Sequence, residues 1–349
     1  MAPNNAQSPV PVAPGRGRLA SIAKGQETAI VRTRRGGFLR NMPPKAKVGG
    51  AVLLLFVLLS IFGPLVAPHT LAINPASHGT PLAPTANHLF GTDTFGRDIL
   101  TEWLKSLRGT VELGLLTATM ASILTVGVGV TAGFLGGVSD EGLSLLMNIF
   151  IVLPALPLLI IVLTFLPSSG VLTIALVLAL LGWSWGARVI RAQTLTLRGR
   201  DFVAAARENG ERTWRLVVFE VLPNEVSLIA ANYVGTFLYA ILTSVALAFI
   251  GVTPISTWSL GTMLYWAQNA NAYIIGAWWM YVPAGIGVAL LGTSLVLINF
   301  GLDELGNPRL REPTGGKKRG GGRRRGAWKP TDPTPVELAT PAAAMGAAP

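Results

Sequence analysis

The three histidines of the chain, His69, His78 and His88, fall in one polar stretch at spacings of nine and ten. Imidazoles are common metal ligands, but ligand pairs from one segment usually recur within a few residues, and no motif organises these three. They read as ordinary surface histidines, and no metal is assigned. Cysteine is absent, which removes thiolate ligands, thiol nucleophiles and disulfides together. No G-x-x-x-x-G-K followed by Ser or Thr occurs, so the chain is not expected to bind ATP itself. Serines and threonines are scattered without a partnering base, which leaves no constellation for hydrolysis and implies no cofactor. Two stretches do concentrate charge. One holds Gly91, Asp93, Gly96, Arg97 and Asp98, where Arg97 can staple a turn through either aspartate or meet a partner at a gate. The other runs from Arg191 to Asn224 and is studded with arginine.

The second stretch, RAQTLTLRGRDFVAAARENGERTWRLVVFEVLPN, reads as two short helices joined at a glycine. Asp201 is placed to cap the first, which carries Phe202, Ala205 and Ala206 on one face, and Gly210 supplies the backbone freedom that ends it. The second presents Trp214, Val217, Val218 and Val221 at i, i+3, i+4 and i+7, opposite Glu211, Arg212 and Arg215, and Pro223 is expected to close it. Small residues, an apolar stripe and a basic edge suit a groove in another protein or a surface of anionic lipid. Periodicity alone does not separate the two.

The elements that must position these segments are apolar. With 349 residues, 50% hydrophobic and only 13% charged, and a mean hydropathy of +0.51, the chain falls well short of the roughly 25% charge of a soluble domain. A bilayer core takes roughly 20 apolar residues as a helix. About six segments qualify: Val48 to Ala67, Val111 to Phe134, Gly142 to Leu166, Val171 to Ile190, Val226 to Ile250 and Met280 to Leu302. Pro154 and Pro157 allow the third to bend. Glu112 and Arg188 sit near span ends, where they can snorkel. The absence of a mid-membrane carboxylate pair argues against a proton-coupled carrier. Gly251 to Trp279 carries Gln268, Asn269 and Asn271, too many amides for a span. It is expected to make a partly inserted or interfacial helical excursion anchored by Trp258, Trp266, Trp278 and Trp279.

Of the 28 basic residues, all but Arg97, Lys105 and Arg108 lie in the amino-terminal segment, in Arg188 to Arg215, or in Arg309 to Lys329. Both termini are therefore expected on the cytoplasmic side, with those three residues in the first external loop. Basic residues confined to the flanks of apolar runs read as topology signals facing membrane lipid rather than as a nucleic-acid surface. Residues 1–47 and 312–349 show no sustained period and are expected to be disordered basic tails. The first apolar stretch is of spanning length with no small-residue cleavage site, so it is expected to stay as a helix rather than act as a signal peptide. Residues 48–110 then hold the first span and external loop, and 111–311 the core, with its cytoplasmic loop at 201–224. The fold class expected is an all-α membrane protein.

Several motifs point further. Ala204-Ala205-Ala206, then Gly210 and Leu222-Pro223-Asn224, resemble the E-A-A-x-x-x-G coupling loop of permease subunits of ATP-binding-cassette importers, with Ala204 where the pattern has glutamate. FGTDTFGRDIL, Phe90 to Leu100, is similar to the G-T-D-x-x-G-R-D signature of the C-type permeases of dipeptide, oligopeptide and nickel importers. AGFLGGVSD from Ala132, Ala277-Trp278-Trp279 and Asn307 to Arg311 follow in the family's order. The stretch ALAFIGVTPISTWSLGTML lacks the family's usual Pro-Ser-Trp-Gly. The resemblance implies a type I importer permease bundle of about six helices in a prokaryotic plasma membrane, and a transport subunit rather than an enzyme. Its partners would be a homologous permease, cytoplasmic ATPases and an extracellular solute-binding protein. Ala205, Ala206, Gly210, Trp214 and Pro223 would couple it to the ATPases, while Gly91, Asp93, Gly96, Arg97 and Asp98 form the external motif. The solute would be a peptide or similar small molecule, with oligosaccharides, or a self-sufficient secondary carrier, as alternatives.

Overall fold

The computed structural model describes residues 43–67, 71, 79–165 and 170–306. Most of both expected tails, His69, His78 and Asn307 to Arg311 lie outside the described residues. Among the described residues there are helices and a single isolated bridge between Thr92 and Asp98, with no β-strand.

Five helices are long and apolar enough to cross a membrane. We name them with the shorter ones in chain order: α1 Pro44–Val66, α2 Ile99–Leu135, α3 Gly137–Val152, α4 Ala155–Thr164, α5 Val171–Arg198 and α6 Asp201–Glu208. There follow α7 Thr213–Phe249, α8 Leu260–Asn269 and α9 Val282–Gly306. Helices α3 and α4 are apolar enough to count as a sixth only when taken as a pair, bent by 83° at the break between them, the geometry of a broken span or of a re-entrant loop. The break falls where Pro154 forces Leu153 into an extended conformation, φ −62° and ψ 129°, as the residue before a proline prefers.

Helix α1 begins at Pro44, inside the stretch expected as tail, because a proline in the first turn gives up no hydrogen bond there. Two helices greatly outrun their apolar cores. At 37 residues each, α2 and α7 are about 55 Å long, against a hydrocarbon thickness of about 30 Å. The first three turns of α2 are mixed rather than apolar, with the polar Thr101, Glu102 and Ser106 buried beside Ile99, Leu104 and Leu107. Lys105 and Arg108 thus stand on this helix and not in a loop.

The densest packing is α2 against α5. Gly129 makes it possible, since a Cβ there would stand 2.7 Å from the Ala187 carbonyl oxygen. The main core joins Phe56 of α1, Leu107 and Val111 of α2, Phe237 and Ile241 of α7, and Leu291 and Leu295 of α9. Leu54, Leu55, Ile61 and Leu65 of α1, and Leu172, Leu176 and Leu180 of α5, point outward as a lipid-facing helix requires.

The stretch from Gly251 to Trp279 yields one ten-residue helix, α8, too short to cross a bilayer. It is capped by Ser259, whose side chain accepts from the Thr262 amide, and its Leu260 amide donates to Thr110 Oγ1 of α2. Of the four tryptophans expected as interface anchors, Trp278 is exposed, while Trp258, Trp266 and Trp279 are half-buried and turn toward the loop before α2.

Candidate functional site

The two motif-bearing segments sit at opposite ends of α2. At its amino-terminal end, Asp93 organises the loop. Its Oδ1 accepts from the amides of Phe95 at 2.9 Å and Arg97 at 2.7 Å, and its Oδ2 accepts from Arg97 Nε at 2.7 Å. Asp98 caps α2, with Oδ2 accepting from both the amide and the hydroxyl of Thr101 at 2.9 Å. His88 Nδ1 stands 3.0 Å from the other Asp98 oxygen.

Gly91 and Gly96 hold φ of 76° and 74°, the left-handed region that a side chain disfavours. At Gly91 a Cβ would also collide with Leu82 O and the Trp279 ring. The Trp279 indole donates to Thr92 O at 3.1 Å, and the Arg97 guanidinium lies over the rings of Phe95 and Trp258. All five motif residues expected here are thus brought together, in a knot that holds the loop onto the end of α2. Sequence reasoning did not anticipate that Trp258 and Trp279 complete the knot.

The Asp201–Asn224 segment lies at the other end. Helix α6 closes in a Schellman turn: the Gly210 amide donates to Arg207 O at 3.0 Å and the Glu211 amide to Ala206 O at 3.3 Å. Gly210 takes φ 81°, the left-handed value this motif needs at its C′ position. The glycine-joined pair of elements stands as expected, but three details differ.

First, Asp201 occupies the first helical position rather than the cap. Arg200 is the N-cap residue, and the carboxylate acts on the helix dipole with no capping hydrogen bond. Second, Val203 of α6, not Phe202 or Ala205, is fully buried, with Ala206 half-buried beside it; Phe202 and Ala205 face outward. Third, Pro223 closes nothing. The helix runs on through it to Phe249, because Leu216–Val221 winds as a π-helix. Wider winding there absorbs the mismatch that a proline without N–H otherwise forces on an α-helix.

The π winding also rewrites the expected stripe. Leu216 and Val221, five apart, are buried, whereas Trp214 and Val218 are exposed and Val217 is intermediate. Val203, Leu216 and Val221 pack with Phe134 of α2 and Leu197 of α5. Each such buried side chain contributes about 1.5–3 kcal/mol, enough to hold the segment on the bundle. What it leaves outside is an aromatic surface. Trp214 is 59% and Phe219 61% exposed, their rings meet edge to face at 6.4 Å, and Phe202 and Val218 are exposed as well. Phe219 escaped the 3.6-residue pattern for that reason.

Beneath the segment, Arg191 of α5 grips Asp140 of α3 with both Nε and Nη2, the latter at 2.8 Å. Arg188 Nη2 reaches Asn148 Oδ1 at 2.6 Å, so this arginine is held by α3.

Known proteins match along most of the chain. Residues 125–311 match the family described as binding-protein-dependent transport system inner membrane component. Residues 38–84 match the N-terminal transmembrane domain of oligopeptide transport permease C. The oligopeptide transport system permease protein OppC of Bacillus subtilis is 30% identical over 272 residues, covering 76% of this chain and 86% of that protein. The dipeptide transport system permease protein DppC of the same organism is 30% identical over 273 residues, 76% of this chain and 83% of its own. A putative peptide transport system permease protein of Brucella suis is 30% identical over 271 residues, 76% and 88% respectively.

Proposed function

The chain belongs to the binding-protein-dependent transport system inner membrane components, and from that membership we propose that it forms half of the pathway of a peptide importer driven by separate cytoplasmic ATPases. It is a multi-pass transport subunit. The relatives are named for oligopeptides, dipeptides and peptides, which favours peptides over oligosaccharides as the solute. A homologous permease completes the pathway, and an extracellular solute-binding protein delivers to it.

The observation that carries the reading is the aromatic surface on the Asp201–Asn224 segment. Trp214 and Phe219 are exposed on elements that are themselves anchored by fully buried Val203 and Val221. Large apolar groups held outward on a rigid support are what a partner's groove can grip. A segment built to lie in lipid would set its apolar residues on one continuous α-helical face, and the π winding breaks that continuity here. Exposed Ala205 permits close approach of a partner, Ala206 seats the helix inward beside Val203, and Gly210 sets the angle between the two arms. The excess of arginine and lysine around the segment favours placing it, with both termini, on the cytoplasmic side.

Purification of the complex from a host expressing the whole transport system tests this. The chain is expected to carry an ATPase with it, and uptake of labelled dipeptide is expected to stop when that ATPase cannot hydrolyse ATP. The double variant Trp214→Ser, Phe219→Ser is expected to insert normally and lose about tenfold or more in ATPase association, as hot-spot aromatics do. Uptake that continues without a competent ATPase would mean a self-sufficient carrier and would sink the proposal.

A further inference from the structure

Directly beneath the aromatic segment, α5 and α7 share a polar contact that packing does not require. Glu225 of α7 is 1% exposed and Thr194 of α5 is 0% exposed. The Thr194 hydroxyl donates to Glu225 Oε1 at 2.8 Å, while the buried Oε2 receives no protein donor among the described residues. A half-matched carboxyl group inside a bundle weakens it relative to an apolar pair of the same shape. The contact is therefore a poor device for stability. What a directional bond supplies instead is a fixed register between two helices.

Its location gives that register a use. Glu225 stands four residues beyond the π-helical Leu216–Val221, on the same helix as the aromatic surface. Thr194 lies one turn from Arg191, whose guanidinium holds Asp140 of α3, and its side chain seats against Gly133 of α2, where a Cβ would come within 2.7 Å. Beyond Asp140, α3 leads to the 83° break before α4. Two contacts, Glu225–Thr194 between α7 and α5 and Arg191–Asp140 between α5 and α3, thus lie along the helices that join the aromatic segment to the bend between α3 and α4.

We propose that Glu225 is a positioning residue: through Thr194 it ties displacement of the docking segment to α5, and through the Arg191–Asp140 pair to the α3–α4 break. The proposal rests on the reading of the chain as an ATPase-driven permease.

The test uses the complete complex, with partner permease, ATPases and binding protein, reconstituted in vesicles, with ATP hydrolysis and accumulation of labelled dipeptide measured together. The double variant Thr194→Val, Glu225→Leu replaces the contact by apolar groups. It is expected to assemble and hydrolyse ATP near the normal rate, yet to accumulate about tenfold less dipeptide per ATP, within the usual range of coupling between sites. Glu225→Gln keeps an acceptor for Thr194 and is expected to restore most of the ratio. A purely structural role would lower assembly, hydrolysis and uptake together and leave the ratio unchanged, and that result overturns the proposal. If the double variant does not assemble, Thr194→Val alone is read by the same ratio. Failure of the unaltered complex to accumulate dipeptide with ATP would strike the permease reading itself, not the role of Glu225.

Discussion

The loop at the amino-terminal end of α2 and the segment at its other end both carry recognisable motifs, yet they place their characteristic residues in opposite ways. In the first, the chemistry is turned inward. Asp93 and Asp98 are buried, and their oxygens are spent on neighbouring amides, on Thr101 and on Arg97. In the second, Trp214, Phe219, Phe202 and Val218 are turned outward, while Val203, Leu216 and Val221, with Ala206 and Val217 packed beside them, hold the segment down. A motif in the sequence therefore does not say whether it builds the fold or meets a partner. Burial of the motif's own side chains does.

That contrast can be broken by substitution. The largest effect is expected from Asp93→Ala, which removes three acceptor contacts and strands Arg97 in a nearly buried site. Breaking such a pair costs about 3–5 kcal/mol, to be seen as a lower unfolding temperature in detergent and less monodisperse protein. Unchanged stability would show that the inward-facing knot is ornamental.

Gly210→Val should have a middle effect. A Cβ there meets nothing within 4 Å, so the penalty is that of the left-handed backbone alone, about 1–2 kcal/mol. Amide hydrogen exchange is expected to speed up in 201–224 and stay slow in α2 and α5, with transport lost; Gly210→Asn, which tolerates this conformation better, should do less. Normal uptake by Gly210→Val would count against a docking role for the segment. The smallest effect belongs to Arg215→Gln. The Arg215–Glu211 pair lies at the surface and contributes less than about 0.5 kcal/mol, so a measurable fall in unfolding temperature would show that the outer face of the segment also supports the fold.

Much of the architecture was legible because lipid imposes a length. Runs such as Val48 to Ala67 and Val171 to Ile190 stand out whatever their packing, and Pro154 announced the bend it makes. Less was legible where burial runs against composition. Thr101, Glu102 and Ser106 look like loop residues, but they face inward on α2, so the helix reaches back to Ile99 unseen by hydropathy. Pro223 reads as a stop only if the preceding turns are α-helical. Once Leu216–Val221 winds more widely, the stop disappears and the apolar pattern must be counted in fives. The buried Thr194–Glu225 contact left no trace either, since it joins residues 31 apart through a fold not yet assembled.

Helix α7 runs from Thr213 beside the exposed aromatic side chains to Phe249 at the far end without a gap. A rod of that length does not relay a push in stages. A tilt of five degrees about its midpoint would carry both tips by about 2 Å at once, in opposite senses. If the π-helical turns hold their shape, a displacement at one end of α7 and its counterpart at the other are a single event.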